Sequence, residues 1–453
     1  MLLPLLPVLG TVLQPMLNLL LAGHASSSTT AVKWLPANPY YDAGRLLTAT
    51  MGNVRLLFGD VLDGGDWTSV FLPEGFVVPL LLGAAARPLA ARPRARAPWH
   101  AGVVAVVALC TLLPCTYLSF LWNRVRYVWP FAGAWFVLIA CFAREAGELA
   151  RRSRLRLAHL GPVLGGCVVG ALLTRLPVAL RDLATSARAI DRQQVTLAEW
   201  VRANLPDDAR VGVNDTGAIA YLGERSTFDV VGLTTEGEAP YWVAGPGARF
   251  EHYERLPPER RPTHFVVYPH WMACPPVLGR ELTQATVTEQ SILGGPTMVV
   301  HEARWDLIGS GDLPGAPPPG KLVDELDVAD LDSEATHRYQ LLEAWDHESV
   351  VLTLRGEEGT VADGARSNRR QEGFVLRGTA GVPGRLVIRA ASDLPTSIEV
   401  RTGGAFVGRA TIGAEGWTEA TIELPAGATE RALEIDVPGE EPPIAAAHYW
   451  LYE

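Results

Sequence analysis

The sequence predicts a multi-domain membrane protein, with an α-helical transmembrane bundle of about five spans followed by a small α/β domain and a C-terminal β-sandwich. Three observations predict it. Long apolar runs stop at Leu160–Leu180. Charge is divided in the same place: residues 1–182 carry 16 Lys+Arg against 8 Asp+Glu, and the remainder carries 23 against 41, as a membrane half with basic loops and an acidic aqueous half would. Beyond residue 320 the pattern changes to short alternating runs separated by Gly, Pro, Asn and Asp, which is the spacing of a sandwich. The divisions are therefore 1–182, 183–307, a linker at 308–320, and 321–453.

Crossing a hydrocarbon core of about 30 Å takes roughly 20 apolar residues in a helix. The candidate spans are Leu2–Ala22, Phe71–Ala86, Ala101–Leu121, Tyr127–Ala143 and Leu160–Leu180. The run at the N-terminus lacks a basic flank and is too long for a signal peptide, so it too reads as a span. Arg87, Arg92, Arg94 and Arg96 fill one connector, and Arg144, Arg151, Arg152, Arg154 and Arg156 fill another. Basic short loops stay in the cytoplasm. The loop His24–Ser69, the turn Trp122–Arg126 and everything after Leu180 are then extracytoplasmic. Trp122, Tyr127 and Trp129 mark the outer boundary as an aromatic belt.

Arg124 and Arg126 on the outer turn run against the positive-inside trend. Paired guanidiniums there suit a lipid-linked phosphate, and equally suit nonspecific anionic headgroups. Asp42, Asp60, Asp63 and Asp66 in the first outer loop have the chemistry of a general base or a divalent-metal ligand, but they include no adjacent acidic pair, and Asp63-Gly64-Gly65-Asp66 has the composition of a turn.

In the aqueous half, Ile190–Leu205 has helical periodicity, and the segments from Arg210 to His301 alternate between strand and helix, which implies an α/β layer. Strand Arg210–Val213 runs into Asn214-Asp215-Thr216-Gly217 and a short helix. Asn214 and Asp215 at that junction either receive a sugar hydroxyl or phosphate or form a capped turn. The spacing is not a dinucleotide fingerprint. His264, His270 and Cys274 have no third partner in the sequence and read as structural.

The stretch Ile308–Gly320 is proline- and glycine-rich, as linkers are. The sandwich strands expected after it are Val350–Leu354, Gly373–Arg377, Arg385–Ala390, Ser397–Arg401, Thr418–Leu424 and Leu433–Val437, closed by the aromatic run His448–Tyr452. That last run reads as core. Four of five cysteines lie in apolar runs, which excludes a disulfide framework and a zinc-ligand spacing. No metal ligand is assigned. The acidic balance excludes a nucleic-acid partner. With only Lys33 and Lys321 as lysines, the composition is that of a GC-rich bacterial gene.

Three strings carry a family resemblance: Arg126-Tyr127-Val128-Trp129-Pro130, Val211–Tyr221 with Phe228–Leu233, and the close His448–Tyr452. With them the chain resembles the C-terminal part of a bacterial polytopic glycosyltransferase of the GT-C superfamily, of the mannosyltransferase and arabinosyltransferase type. The resemblance implies a multi-pass protein of the cytoplasmic (inner) membrane with extracytoplasmic C-terminal domains. It also implies a polyprenyl-phosphate sugar donor, a glycan or protein acceptor, and a divalent metal or cationic groups at the leaving phosphate. Substrate-binding candidates are Arg124, Arg126, Tyr127, Asn214 and Asp215. The family's acidic pair in its first outer loop has no counterpart in His24–Ser69, so no catalytic residue is assigned, and the chain is expected to be the second half of such an enzyme. The alternative is a noncatalytic membrane-anchored glycan-binding protein.

Overall fold

The computed structural model describes residues 6–23, 25, 27–65, 68–89, 97–118, 124, 126–152, 159–289, 292–344, 349–356, 359–414, 416–439 and 441–453. Arg92, Arg94, Arg96, Arg154, Arg156, Asp66 and Trp122, which figured in the topology above, lie outside them. The chain forms two compact units, Met1–Asp191 with Thr288–Leu293, and Arg192–Val287 with Gly294–Glu453.

The first unit is helical. Helices Leu6–Ala22, Val77–Leu89, Ala97–Leu112, Ala132–Arg152 and Leu160–Ile190 fall on all five predicted stretches, with a further helix at Ala43–Leu56. Their lengths correct the five-span expectation. Among the described residues only Ala97–Thr116 and the helical run Leu160–Asn204 are long and apolar enough to cross a membrane, and Val77–Ala86 is a shorter apolar helix. Residues 73–75, Pro-Glu-Gly, hold the chain in turns until Val77. Pro114 converts the end of another helix to a 3-10 turn, Leu113–Thr116. Ala132–Arg152 spends its final turns on Arg144, Glu145, Glu148, Arg151 and Arg152. Within this unit Trp135, Leu138 and Ile139 pack with Leu57, Val61, Leu62, Leu72 and Phe76.

The second unit begins within a π-helical turn, Asp191–Val195, which leads into the helix Thr196–Asn204. Its five-stranded sheet contains β1 (Arg210–Val213), β2 (Ser226–Asp229), β3 (His264–Val267), β4 (Leu278–Thr286) and β5 (Thr297–Ala303), in the order β2-β1-β3-β5-β4. β1 pairs in parallel with β2 and β3, and β5 runs antiparallel to β3. Leu197, Ala198 and Val201 cover Val211, Val213, Val266 and Val300. The period-3.6 stripe of the helix thus meets the buried face of the sheet.

A ten-stranded β-sandwich follows: β6 (Leu322–Asp327), β7 (Gln340–Ala344), β8 (Ser349–Gly356), β9 (Gly359–Arg377), β10 (Gly384–Ala391), β11 (Thr396–Thr402), β12 (Ala405–Ile412), β13 (Trp417–Leu424), β14 (Glu430–Asp436) and β15 (Ile444–Tyr452). The order is β12-β11-β14-β9-β15-β10-β13, with β6 on β15 and β7 and β8 on β9. Alternate residues fill its core, among them Leu326, Leu376, Leu386, Ile388, Val400, Ile435, Tyr449 and Leu451.

The helix Pro246–Arg255 lies close against β8 and β9, which requires small residues at its start. A Cβ on Gly245 would lie 2.6 Å from the Ser349 nitrogen, and one on Gly247 would lie 2.4 Å from the Val350 oxygen. Gly245 also has φ 101° and ψ −179°, a conformation nearly restricted to glycine. Gly245→Ala is expected to lower stability by about 1–3 kcal/mol from backbone strain alone, read as a drop in the chemical-denaturation midpoint of this unit.

Candidate functional site

Strand register builds the most unusual polar arrangement in the second unit. Asp327 of β6 stands opposite His448 of β15, His448 opposite Arg389 of β10, and Arg389 opposite Glu419 of β13. Directly opposed residues share a face, so the four form one row across four strands. Their neighbours Leu326, Tyr449 and Ile388 point the other way, into the core.

On the polar face Trp450 stacks on His448 at 4.2 Å. The Arg389 guanidinium lies 4.5 Å from the Trp417 ring and 4.7 Å from the Trp450 ring, and it donates to Asp363 at 2.5 Å and to Glu419 at 2.8 Å. The proline-rich stretch is bonded over this face. Arg389 donates to the Gly311 and Leu313 carbonyls, and the Trp450 indole donates to that of Asp312.

Asp363 reaches the row from the middle of β9. Asp327, Asp363 and His448 each present a ligand atom, all within 4.8 Å of one another. His448 is 3 % exposed, yet neither ring nitrogen has a hydrogen-bond partner, nor does Asp327 Oδ1. Orphaned buried polar atoms of this kind call for an unseen partner. A pocket of about 350 Å³ opens at Asp327 and His448, and Glu251, Glu254, Asp312 and Asp330 contribute to its wall. Two carboxylates and a neutral imidazole are ligands for a divalent cation, and further carboxylates nearby would add to its attraction.

The helix Pro246–Arg255 supplies Glu251 and Glu254. Glu251 accepts from the Gly364 amide at 2.6 Å, and Asp330 is paired with Arg255. Burial, then the Asp363 and Glu254 carboxylates, hold Glu251 well above the usual carboxylate range. Burial and Glu251 do the same to Asp327. Burial, then Asp312, push Glu254 up to about 7.

A raised folded-state pKa contributes stability that is complete below the unfolded value and is lost as pH climbs through the folded one. For Glu254 that window runs from 4.5 to about 7. The melting temperature of the protein in chelator is therefore expected to fall across this window, and a saturating divalent cation is expected to offset the fall. Scanning calorimetry at each end, with and without cation, checks both; a rise with pH in chelator would contradict the electrostatics.

The residues singled out from sequence lie elsewhere, in separate places. Arg124, at φ 60°, makes a two-point pair with Asp182, with Nε to Oδ2 at 2.9 Å. The helix that was expected to end at Leu180 continues and brings Asp182 to it. Arg126 and Tyr127 are together, with the guanidinium 5.2 Å from the ring. Asn214 is 4 % exposed and its Oδ1 accepts from the Tyr268 amide at 3.4 Å, while Asp215 accepts from Gln194 at 2.6 Å. Asn214 and Asp215 are bonded to neighbouring parts of the α/β layer.

The site residues missed from sequence, Asp327, Asp363 and His448, belong to three strands. One signal could have found them. A His inside an aromatic run must, by strand alternation, face opposite to Tyr449 and Leu451.

A family described as a domain of unknown function (DUF8728) matches residues 187–330. No curated protein matches the chain. Among solved structures it is similar to the CBM36-1 domain of a multidomain xylanase from the hindgut metagenome of Trinervitermes trinervoides, at 15 % identity over 23 % of this chain and 97 % of that one, TM-score 0.18. It is also similar to the C-terminal CBM6 of LamC, a laminarinase from Zobellia galactanivorans, at 11 % identity over 28 % and 98 %, TM-score 0.19. A third is the carbohydrate-binding module CBM6cm-2 of Cellvibrio mixtus lichenase 5A in complex with cellotriose, at 12 % identity over 29 % and 98 %, TM-score 0.21.

Proposed function

We propose that the chain is a noncatalytic, membrane-anchored glycan-binding protein whose second unit holds a sugar over a divalent cation at Asp327, Asp363 and His448. The observation that carries this reading is the buried His448 ring, whose nitrogens make no hydrogen bond while Nδ1 lies 3.8 Å from Asp363 Oδ2 and 4.0 Å from Asp327 Oδ1, beside a carboxylate-lined pocket. Sugar hydroxyls donate to carboxylates, and they can complete the coordination of a cation that has only three protein ligands. The apolar helices of the first unit, among them Ala97–Thr116 and the start of the run from Leu160, anchor the chain in a bacterial cytoplasmic membrane, with the second unit extracytoplasmic.

Transfer from a polyprenyl-phosphate donor is the reading that the family resemblance implies. It would use Arg124 and Arg126, and Arg124 is committed to Asp182.

The pocket wall is acidic, so specificity should follow charge. The full chain in neutral detergent, with divalent cation, is expected to bind neutral cell-envelope oligosaccharides saturably and to reject their uronic-acid counterparts. Calorimetric titration reads both. Binding to none of the neutral sugars, or a preference for the uronates, would overturn the reading.

A further inference from the structure

A second site lies in the first unit, where the segment after the first helix meets the turn at Arg126. Lys33 Nζ donates to the Tyr127 hydroxyl at 3.0 Å, and Arg126 Nη2 donates to the same oxygen at 3.4 Å. Both cations also lie by the ring, at 5.6 and 5.2 Å from its centroid.

The backbone holds this convergence in place. The Leu118 amide bonds to the Lys33 carbonyl at 2.7 Å, Trp34 bridges to Tyr117, and Tyr117 stacks on Tyr127. Among the described residues neither Lys33 nor Arg126 has a carboxylate partner. Four arginines of this unit are paired with carboxylates among the described residues: Arg124 with Asp182, Arg144 with Glu145, and Arg151 and Arg152 with Glu148.

Two like charges sharing one phenol oxygen repel each other. An anion removes that cost. The phenol oxygen accepts from both cations and so holds the ammonium and the guanidinium side by side, with their remaining N–H donors presented together. That set fits the oxygens of a phosphate group, with charge-assisted bonds from both cations.

We propose that Lys33, Arg126 and Tyr127 form a phosphate-binding site, for a lipid phosphate headgroup or a free phosphate. It does not depend on the glycan pocket, and it replaces the expected Arg124–Arg126 clamp with a set in which Arg124 has no part.

Lys33 and Lys321 are the only lysines, which makes lysine acetylation a two-site assay with an internal control. The full chain in phosphate-free neutral detergent is treated with an acetylating ester, and each lysine is followed by mass spectrometry. Short-chain phosphatidic acid at about ten times its Kd is expected to slow Lys33 about tenfold and to leave Lys321 unchanged, while the matching diacylglycerol does nothing. Equal protection by inorganic phosphate identifies a free-phosphate site, and protection by the lipid alone identifies a headgroup site. Arg126→Gln and Tyr127→Phe, each checked for unchanged helix content, are expected to abolish the protection. No protection by either phosphate source, or undiminished protection in both variants, overturns the proposal.

Discussion

Arg366→Met is expected to destabilise the second unit by about 3–5 kcal/mol, the cost of leaving a buried charge without its partner. Arg366 is 0 % exposed, and its Nε and Nη2 each bond to Glu334 at 2.7 Å while Nη1 donates to the Ala244 carbonyl. Glu334 in turn accepts from the Ala329 amide at 3.0 Å. The pair ties the end of β6 and the helix Leu331–Thr336 to β9, which also carries Asp363. Removing only the cation strands Glu334. The double variant Arg366→Met with Glu334→Leu removes both charges and is expected to recover more than half of the loss. Urea midpoints of the two variants check this; a single-variant loss below about 1 kcal/mol would show that water compensates the charge.

Saturating divalent cation should produce the second large effect. A ligand that binds only the folded state stabilises it by about 2.7 kcal/mol at 100 times its Kd. For a unit of this size that is roughly 5–10 °C in melting temperature. The shift is expected for the unaltered protein and is expected to vanish in Asp327→Asn with His448→Gln. These two substitutions leave Asp363 to hold Arg389, so the base stability is changed little by comparison. Calcium, manganese and zinc compared separately will show whether the imidazole or the carboxylates decide the ion. Equal shifts in protein and variant would place the cation elsewhere.

Much of the fold was legible because alternation is local. β8, β10, β11, β13 and β14 lie where period-two runs predicted them. β6, β7 and β12 were missed: half of Leu322–Asp327 is acidic, and in Ala405–Ile412 only Ile412 is buried, so neither shows a clean apolar face. Helices fall on all five expected stretches but were over-read as spans, since a run of apolar residues does not reveal that turns delay one helix to Val77 and another to Ala132.

The site was not legible, because it depends on register. Nothing in the sequence says that Asp327 stands opposite His448, or that Asp363 of β9 reaches the same point. Arg124 shows the same limit in reverse. It read as an exposed cation because Leu160–Leu180 was taken to end before Asp182, and in the structure the helix continues and supplies the counter-charge.

The most direct test of the account is the affinity of the full chain for its best neutral oligosaccharide, measured by calorimetry in divalent cation and again after chelation. The account predicts saturable binding with cation, and its loss both in chelator and in Asp327→Asn with His448→Gln. Binding of equal strength under all of these conditions would contradict a cation-centred site at Asp327, Asp363 and His448.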